Sequence, residues 1–330
     1  MAIDIFSIEE HKVSRDLSGY ITYIYGPGGA GKTTLGCKMP KPLLIAFEKG
    51  YNAIAGVKAQ DVTSWKEMKT VLKQLEDPRG LEMFKTVVID TVDKASQLCE
   101  KYICGKLGIE NIGDGGWSTN GWAKVKREWE TTFNNLTMMG YAVVFISHSK
   151  DKTFTRKDGT TYNQIVPSCS NAYNEIVRNM SDIQGYIKIE NGQRSLVLRS
   201  PDDSIECKSR FAYINAEIPF SYESLVEALN EAIDEEGKHA GEQFITNERE
   251  QIKIPEQLDF VELMNKFNDL VNKLQEATGP SFGTNWAPRI VAITDKYLGK
   301  GKRVADLTPS QVEQLALVVE ELEEQVGNGI

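Results

Sequence analysis

A glycine-rich segment near the start of the chain, YIYGPGGAGKTT at residues 23–34, constrains the fold more than any other part of the sequence. It follows the β-rich run GYITYIYG and precedes GKTTLGCKM, which favours a helix. Residues 26–33 match the pattern G-x-x-x-x-G-K-[ST], and a match between a strand and a helix indicates a Walker A phosphate-binding loop. Glycines in such a loop allow backbone N–H groups to turn towards a β-phosphate. The predicted nucleotide-binding residues are Gly26, Pro27, Gly28, Gly29, Ala30, Gly31, Lys32, Thr33 and Thr34.

The chemistry of this loop predicts a nucleoside triphosphate and Mg²⁺ as its ligands. Lys32 is expected to reach the β- and γ-phosphates, and Thr33 is expected to ligate Mg²⁺. A loop of this kind needs a second acidic group for the metal, and the buried apolar run TVVID supplies Asp90 at its end. Asp90 is therefore the second predicted Mg²⁺ ligand. The alternative is that Asp90 caps the next helix, although Asp93 could cap it instead.

Glu48 ends the strand-like run LLIAFE, which follows the helix of the loop. A carboxylate in this position suits the polarisation of a water molecule that attacks the γ-phosphate. The alternative is a surface turn residue before Gly50. The sequence has neither an arginine-rich lid, which is typical of small-molecule kinases, nor an NKxD-type guanine signature.

Strand and helix patterns alternate through the first 200 residues. The continuous apolar runs LLIAF, TVVI and YAVVFI are separated by helical segments, and they predict a parallel sheet covered on both faces. Asp158-Gly159 and Asn191-Gly192 are hairpin turn signals, which predict antiparallel additions to that sheet. The predicted fold class is therefore α/β, with a mostly parallel sheet plus antiparallel hairpins.

The last third of the chain differs from the rest in composition. Residues 236–257 are polar and lack a clear apolar period, so we interpret them as a linker. They would join a P-loop core at residues 1–235 to a small C-terminal α-helical domain at residues 258–330. The net charge of -9 arises entirely after residue 220, which argues against nonspecific coating of nucleic acid but allows a local basic groove.

Several classes of protein are disfavoured by the sequence. The first residues contain no apolar signal core, and no apolar run reaches about 18 residues, so no membrane contact is predicted. The 5 cysteines have no CxxC spacing and only 3 histidines are present, which argues against a disulfide scaffold and against a classical zinc site. The expected location is the cytoplasm.

Four segments follow one another in an order that resembles the RecA-like ATPase core: YGPGGAGKTT, LLIAFEKG, TVVIDTVDKA and VVFISHSK. They are most similar to phage-type ATPases associated with single-strand annealing and recombination. The resemblance covers about residues 10–220. The chain departs from it at Ala46-Phe47, where relatives often have Asp-Thr before the glutamate.

The resemblance implies ATP as the nucleotide, a set of catalytic residues and an oligomer. Lys32, Glu48 and Asp90 would form the hydrolytic site, and His148 would be the sensor that couples the γ-phosphate to a DNA-binding loop. Lys208 and Arg210, in ECKSRF, would reach the nucleotide of a neighbouring subunit in a ring or filament. The alternative for His148 is a purely structural role. The alternative for Lys208 and Arg210 is that they are solvated charges on an edge strand.

The resemblance also places single-stranded DNA against the loop at residues 149–166. The predicted contacts combine backbone charge neutralisation with base stacking, as single-strand binding requires. An ordinary hairpin with solvated lysines is the alternative. The predicted nucleic-acid contacts are Lys150, Lys152, Phe154, Arg156 and Lys157.

Two other functions fit the same residues. One is a replication helicase or helicase loader of the P-loop class. The other is a nucleotide-gated interaction protein without DNA activity, in which the helices of residues 258–330 would dock a protein partner. Bacterial host cytoplasm is the expected location if the chain is encoded by a phage.

Overall fold

The computed structural model describes residue 6 and residues 8–114, 116–249 and 258–327. The chain divides into two compact units, residues 1–253 and residues 254–330. The strands lie in the first unit, and the described part of the second unit is helical.

The first unit alternates strands and helices, as the sequence predicts. Its strands are β1 (Val13–Ser14), β2 (Thr22–Gly26), β3 (Pro42–Ala46), β4 (Ala59–Asp61), β5 (Thr86–Asp90), β6 (Ala142–Thr155), β7 (Thr161–Pro167), β8 (Ile183–Glu190), β9 (Gln193–Val197), β10 (Lys208–Ser209), β11 (Glu217–Pro219) and β12 (Ile245–Thr246). Its helices are α1 (Lys32–Gly36), α2 (Trp65–Leu75), α3 (Pro78–Met83), α4 (Val92–Leu107), α5 (Gly116–Thr119), α6 (Gly121–Met138), α7 (Asn171–Met180) and α8 (Tyr222–Ala240).

The main sheet runs in the order β11-β9-β8-β2-β6-β5-β3-β4. Strand β2 is parallel to its neighbours β6 and β8, and β5 is parallel to β3 and β6. The pairs β6–β7 and β8–β9 are antiparallel hairpins that turn at Asp158-Gly159 and Asn191-Gly192. The predicted mostly parallel sheet with antiparallel hairpins is confirmed.

Helices cover both faces of this sheet. On one face, Trp65 of α2 stacks on Trp129 of α6 with 5.6 Å between ring centroids, inside a large buried cluster. On the other face, Leu35 of α1 and Leu225 and Leu229 of α8 are fully or almost fully buried. Because both faces of the parallel strands are buried, these strands read as continuous apolar runs in the sequence.

Strand register brings the ends of three strands to one edge of the sheet. Gly26 at the end of β2 pairs with His148 on β6. Asp90 at the end of β5 pairs with Ala46 at the end of β3. Carboxyl ends of parallel strands form the crevice in which open α/β sheets bind ligands.

The prediction of a linker at residues 236–257 is wrong for residues 236–246. Helix α8 continues to Ala240, a 3₁₀ turn follows at Glu242–Phe244, and β12 then pairs in parallel with β1. Ile245 belongs to β12 and packs against α8. A search for helical periodicity does not detect a strand as short as β12, so this part of the chain was predicted to be a linker. Residues 250–257 of the predicted linker lie outside the described residues.

The second unit is described from residue 258 to residue 327. Its helices α9 (Phe260–Thr278), α10 (Phe282–Asn285), α11 (Ala287–Leu298) and α12 (Val312–Gly327) pack around an apolar cluster that includes Leu274, Trp286 and Leu315. Within the described ranges of both units, no helix is long and apolar enough to cross a membrane.

Candidate functional site

The glycine-rich loop joins β2 to α1 and has the conformation that its glycines allow. Gly29 has φ 71° and Gly31 has φ 99°, which is a backbone region that side chains with a Cβ rarely adopt. Ala30 between them is fully buried. The nine predicted nucleotide-binding residues, 26–34, therefore form one turn over the end of β2 and the start of α1.

Lys32 is bound by the loop itself. Its Nζ donates hydrogen bonds to the carbonyl oxygens of Gly26, at 2.9 Å, and Pro27, at 2.7 Å. Burial lowers the pKa of Lys32, and the nearby carboxylates of Asp90, Asp93 and Glu48 oppose that shift. The ammonium group thus lies at the loop with only neutral carbonyl partners, which phosphate oxygens can replace with stronger charge-assisted bonds.

Thr33 and Asp90 connect the loop to the end of β5. The Thr33 Oγ1 hydroxyl donates to Asp90 Oδ2 at 2.6 Å, and Asp90 is only 4% exposed. Burial raises the pKa of Asp90, and the hydrogen bond from Thr33 counteracts part of this shift. A hydroxyl oxygen beside a carboxylate is a donor set that suits Mg²⁺, so these two side chains fit the predicted metal role.

The alternative role of Asp90, as the cap of the next helix, is not what the structure shows. Thr91 occupies the N-cap position of α4, and its Oγ1 accepts a hydrogen bond from the backbone N–H of Lys94 at 3.4 Å. Neither Asp90 nor Asp93 is the cap. A threonine directly before a helix is a usual N-cap signal, so Thr91 could have been identified as the cap from the sequence.

Glu48 and His148 face each other across the same cavity. Glu48 Oε1 accepts a hydrogen bond from Thr91 Oγ1 at 3.0 Å, and Glu48 Oε2 lies 3.5 Å from His148 Nε2. Both side chains are 40% exposed, so water can reach them. The cavity measures about 240 Å³, and its lining residues are Gly29, Gly31, Lys32, Thr33, Thr34, Glu48, Gly50, Asp90, Thr91 and His148.

Asp93 ties this cavity to the base of the β6–β7 hairpin. Its Oδ2 accepts a hydrogen bond from the backbone N–H of His148 at 3.2 Å, and its Oδ1 accepts one from the Ser168 hydroxyl. The backbone N–H of Ser168 in turn donates to the carbonyl oxygen of His148 at 2.8 Å. Ser168 is 75 residues from Asp93 along the chain, so no local sequence pattern indicates this connection.

Lys208 and Arg210 do not line this cavity. Lys208 Nζ donates to the carbonyl oxygens of Arg178, at 2.7 Å, and Asn179, at 3.1 Å. Arg210 also donates to Asn179 and forms an ion pair with Asp182 at 3.3 Å. Both side chains thus stabilise the end of α7 in their own chain, and their role towards a neighbouring subunit stays a prediction.

The β6–β7 hairpin carries the predicted nucleic-acid contacts, and most of its cations have partners within the chain. Phe154 stacks on Tyr162 of the opposite strand with 5.5 Å between ring centroids. Lys152 lies 4.6 Å from the Phe154 ring centroid, and Arg156 lies 4.3 Å from that of Tyr162. Arg156 also forms an ion pair with Asp203 at 3.1 Å.

Two further lysines of this hairpin differ from each other. Lys150 Nζ donates to the carbonyl oxygen of Ser168 at 3.0 Å, so it holds the base of the hairpin. Lys157 lies exposed in the turn beside Asp158-Gly159. The hairpin therefore presents a stacked aromatic pair with cations against its rings, and it offers less free charge than its sequence suggests.

The strand order, the Walker A loop and the acidic strand end define a P-loop NTPase core. The chain belongs to the AAA_24 family of AAA domains, whose family model matches residues 18–211. This range contains the loop, Glu48, Asp90 and His148.

Similar proteins include one from a prophage. The SPbeta prophage-derived uncharacterized protein YorG of Bacillus subtilis (strain 168) is 31% identical over 332 residues, covering 98% of this chain and 99% of YorG. Among solved structures, the RadB recombinase is similar with a TM-score of 0.36 and 15% sequence identity, covering 62% of this chain and 89% of the recombinase.

Proposed function

We propose that the protein is a Mg²⁺-dependent ATPase that converts ATP to ADP and phosphate. The observation that carries this proposal is the 2.6 Å contact between Thr33 and Asp90, which joins the phosphate loop to an acidic strand end. Glu48 and His148 face the same cavity. The site thus combines a phosphate-binding loop, a metal-ligand pair and a carboxylate near the place where a γ-phosphate would lie.

The chain's own residues have separate roles in this reaction. Lys32 exchanges its two carbonyl partners for oxygens of the β- and γ-phosphates and stabilises the charge that develops there. Glu48 orients the attacking water and accepts its proton as the new P–O bond forms and the bond to the leaving ADP oxygen breaks. Mg²⁺ held by Thr33 and Asp90 would neutralise phosphate charge.

His148 is proposed to report the state of the γ-phosphate to the hairpin. Its ring lies 3.5 Å from Glu48, and its backbone N–H donates to Asp93. Asp93 also accepts from Ser168, directly after the hairpin strand β7. A movement of His148 on hydrolysis would therefore be transmitted to the hairpin through two hydrogen bonds.

We further propose that hydrolysis is coupled to single-stranded DNA in phage recombination or annealing, in the cytoplasm of a bacterial host. The prophage origin of YorG supports this context. The stacked Phe154–Tyr162 pair, with Lys152 and Arg156 against its rings, supports a surface on which bases stack. A ring or filament would bring Lys208 and Arg210 of one subunit to the nucleotide of the next, after they leave the end of α7.

The cations of the β6–β7 hairpin have partners within the chain, and this observation favours a second candidate function. Arg156 is bound to Asp203 and Lys150 to the Ser168 carbonyl, so less charge is free for a phosphate backbone. This arrangement suits a nucleotide-gated interaction protein, with α9, α11 and α12 as the docking surface for a protein partner. A helicase or helicase loader of the same class would use the same nucleotide site.

ATP turnover measured with and without single-stranded DNA distinguishes these functions. Stimulation by single-stranded DNA supports the recombination or annealing factor, and turnover without any DNA response supports the interaction protein. Strand displacement on a forked duplex would identify a helicase. The absence of ATP binding and turnover under every condition would refute the ATPase proposal itself.

The subunit-bridging role has its own test. We expect mixtures of Lys32→Ala protein with a Lys208→Ala, Arg210→Ala double variant to recover activity, because some interfaces then combine an intact loop with intact cations. Mixtures as inactive as the separate variants, or a strict monomer in light scattering with ATP, would exclude this role.

A further inference from the structure

A second cation, Arg194, lies beside the phosphate loop. A Cβ built on Gly31 would lie 3.2 Å from Arg194 Nη1 and 3.0 Å from Phe220 Cε1. Arg194 comes from β9 and Phe220 directly follows β11, and the backbone N–H of Phe220 donates to the carbonyl oxygen of Arg194 at 3.2 Å. A guanidinium and a phenyl ring thus share one side of the loop, next to Lys32.

The β8–β9 hairpin, which carries Arg194, packs directly against the first glycine of the loop. A Cβ built on Gly26 would lie 3.1 Å from Ile187 Cβ and 3.2 Å from the Ile187 carbonyl oxygen. Strand β8 is also the parallel neighbour of β2. The position of Arg194 relative to the loop is therefore fixed by the sheet rather than by a mobile connection.

Arg194 has no acidic partner in the parts of the chain that the structure describes, and its side chain is exposed. Two other cations of this part of the sheet do have partners. Lys188, on the same hairpin, pairs with Glu190 at 2.7 Å and with Glu217 at 3.7 Å. Arg199 donates to carbonyl oxygens. Arg194 thus places guanidinium N–H groups beside Gly31 of the phosphate loop, where oxygens of a bound phosphate could accept them.

We propose that Arg194 is a nucleotide-contacting residue, supplied by the same chain that forms the phosphate loop. Its planar guanidinium donates hydrogen bonds to phosphate oxygens of the bound nucleotide, a geometry for which arginine is better suited than lysine. This inference rests on the proposed nucleotide site, and it differs from the contribution of Lys208 and Arg210, which requires a second subunit.

The test is a titration of the full chain with ADP and with ATP in the presence of Mg²⁺, measured by calorimetry. Arg194→Ala is expected to weaken the binding of both nucleotides by about ten- to a hundredfold, the effect of one lost hydrogen bond to a charged group. Arg194→Lys should bind with intermediate affinity. Lys188→Ala removes a cation from the same hairpin and should bind as the wild type does.

The outcomes are distinguishable. Unchanged affinity of Arg194→Ala, or an equal loss in Lys188→Ala, would overturn the role of Arg194 and leave the ATPase proposal standing. A wild-type chain that binds neither nucleotide would overturn both. Circular dichroism establishes that each variant is folded, and if Arg194→Ala is not, the affinity of Arg194→Lys decides: affinity equal to that of the wild type overturns the proposal.

Discussion

The phosphate loop and the β6–β7 hairpin are both rich in functional residue types, but their polar groups are satisfied differently. In the loop, Lys32 has only neutral carbonyl partners, and Thr33 and Asp90 form a pair that suits a metal ion. In the hairpin, Arg156 has an acidic partner of its own and Lys152 donates to Asn171. The loop is thus arranged to exchange its partners for a ligand, whereas Arg156 and Lys152 of the hairpin are already bound within the chain.

This difference shows what a sequence motif can and cannot specify. A fixed spacing of glycines, lysine and threonine determines where backbone N–H groups and side chains lie, so it predicts a site. A set of lysines and aromatic residues in a hairpin has no such fixed spacing, so it does not predict the position of any one group. Whether their charges are free depends on acidic groups from elsewhere in the chain, such as Asp203.

The largest effect is expected in the loop. Lys32→Ala should reduce ATP turnover at least about a hundredfold, because it removes the charge that stabilises the transferred phosphate. Lys66→Ala, which removes an exposed lysine of α2, is the matched control and should turn over ATP as the wild type does. If Lys32→Ala keeps a tenth of the activity or more, the loop is not the hydrolytic site.

A second prediction asks whether the hairpin is a base-stacking surface. Phe154→Ala and Tyr162→Ala should each weaken single-stranded DNA binding by about 1–3 kcal/mol, the value of one stacked base. Tyr213→Ala removes an exposed aromatic ring that stacks on His239 and serves as the control. Equal DNA affinity of all three variants in fluorescence anisotropy would make the Phe154–Tyr162 pair a purely structural contact.

A third prediction concerns the loop's backbone. Gly31→Ala should lower the free energy of unfolding by about 1–2 kcal/mol, because a Cβ at positive φ is strained and would also contact Phe220 and Arg194. Gly28→Ala has open space around its Cβ and is expected to change that free energy by less than about 0.5 kcal/mol. Urea unfolding without nucleotide measures both, and equal values would contradict the strained loop geometry.

The smallest effect is expected for a hairpin cation. Lys152→Ala should lower the slope of DNA affinity against salt by about 0.7, since one phosphate contact is lost. The affinity itself should change only a few-fold, because Lys152 already has a partner in Asn171. An unchanged slope would assign Lys152 to the hairpin's own stability and would strengthen the contrast with the loop.

Much of the fold and the centre of the site could be predicted from the sequence. Apolar runs identified β3, β5 and β6, and the ends of those runs placed Glu48 and Asp90 at one edge of the sheet. Arg194 and Phe220 could not be found in this way. They reach Gly31 only because β8 lies beside β2, a neighbour relation between strands about 160 residues apart that no local pattern expresses.

Two other features were missed for related physical reasons. Residues 236–246 read as a polar linker, yet they complete α8 and add β12 beside β1, a pairing with residues more than 230 positions earlier. Lys208 begins β10 and Arg210 directly follows this strand; carbonyl groups at the end of α7 bind both side chains, and Asp182 also pairs with Arg210. In both cases the structure depends on contacts with residues that are distant in the sequence.

The most direct test of the account is a crystal structure of the chain with Mg²⁺ and a non-hydrolysable ATP analogue. The account predicts that Lys32 Nζ leaves the carbonyl oxygens of Gly26 and Pro27 for the β- and γ-phosphates, with the metal beside Thr33 and Asp90. A nucleotide bound elsewhere, or one bound here while Lys32 keeps both carbonyl partners, would contradict it.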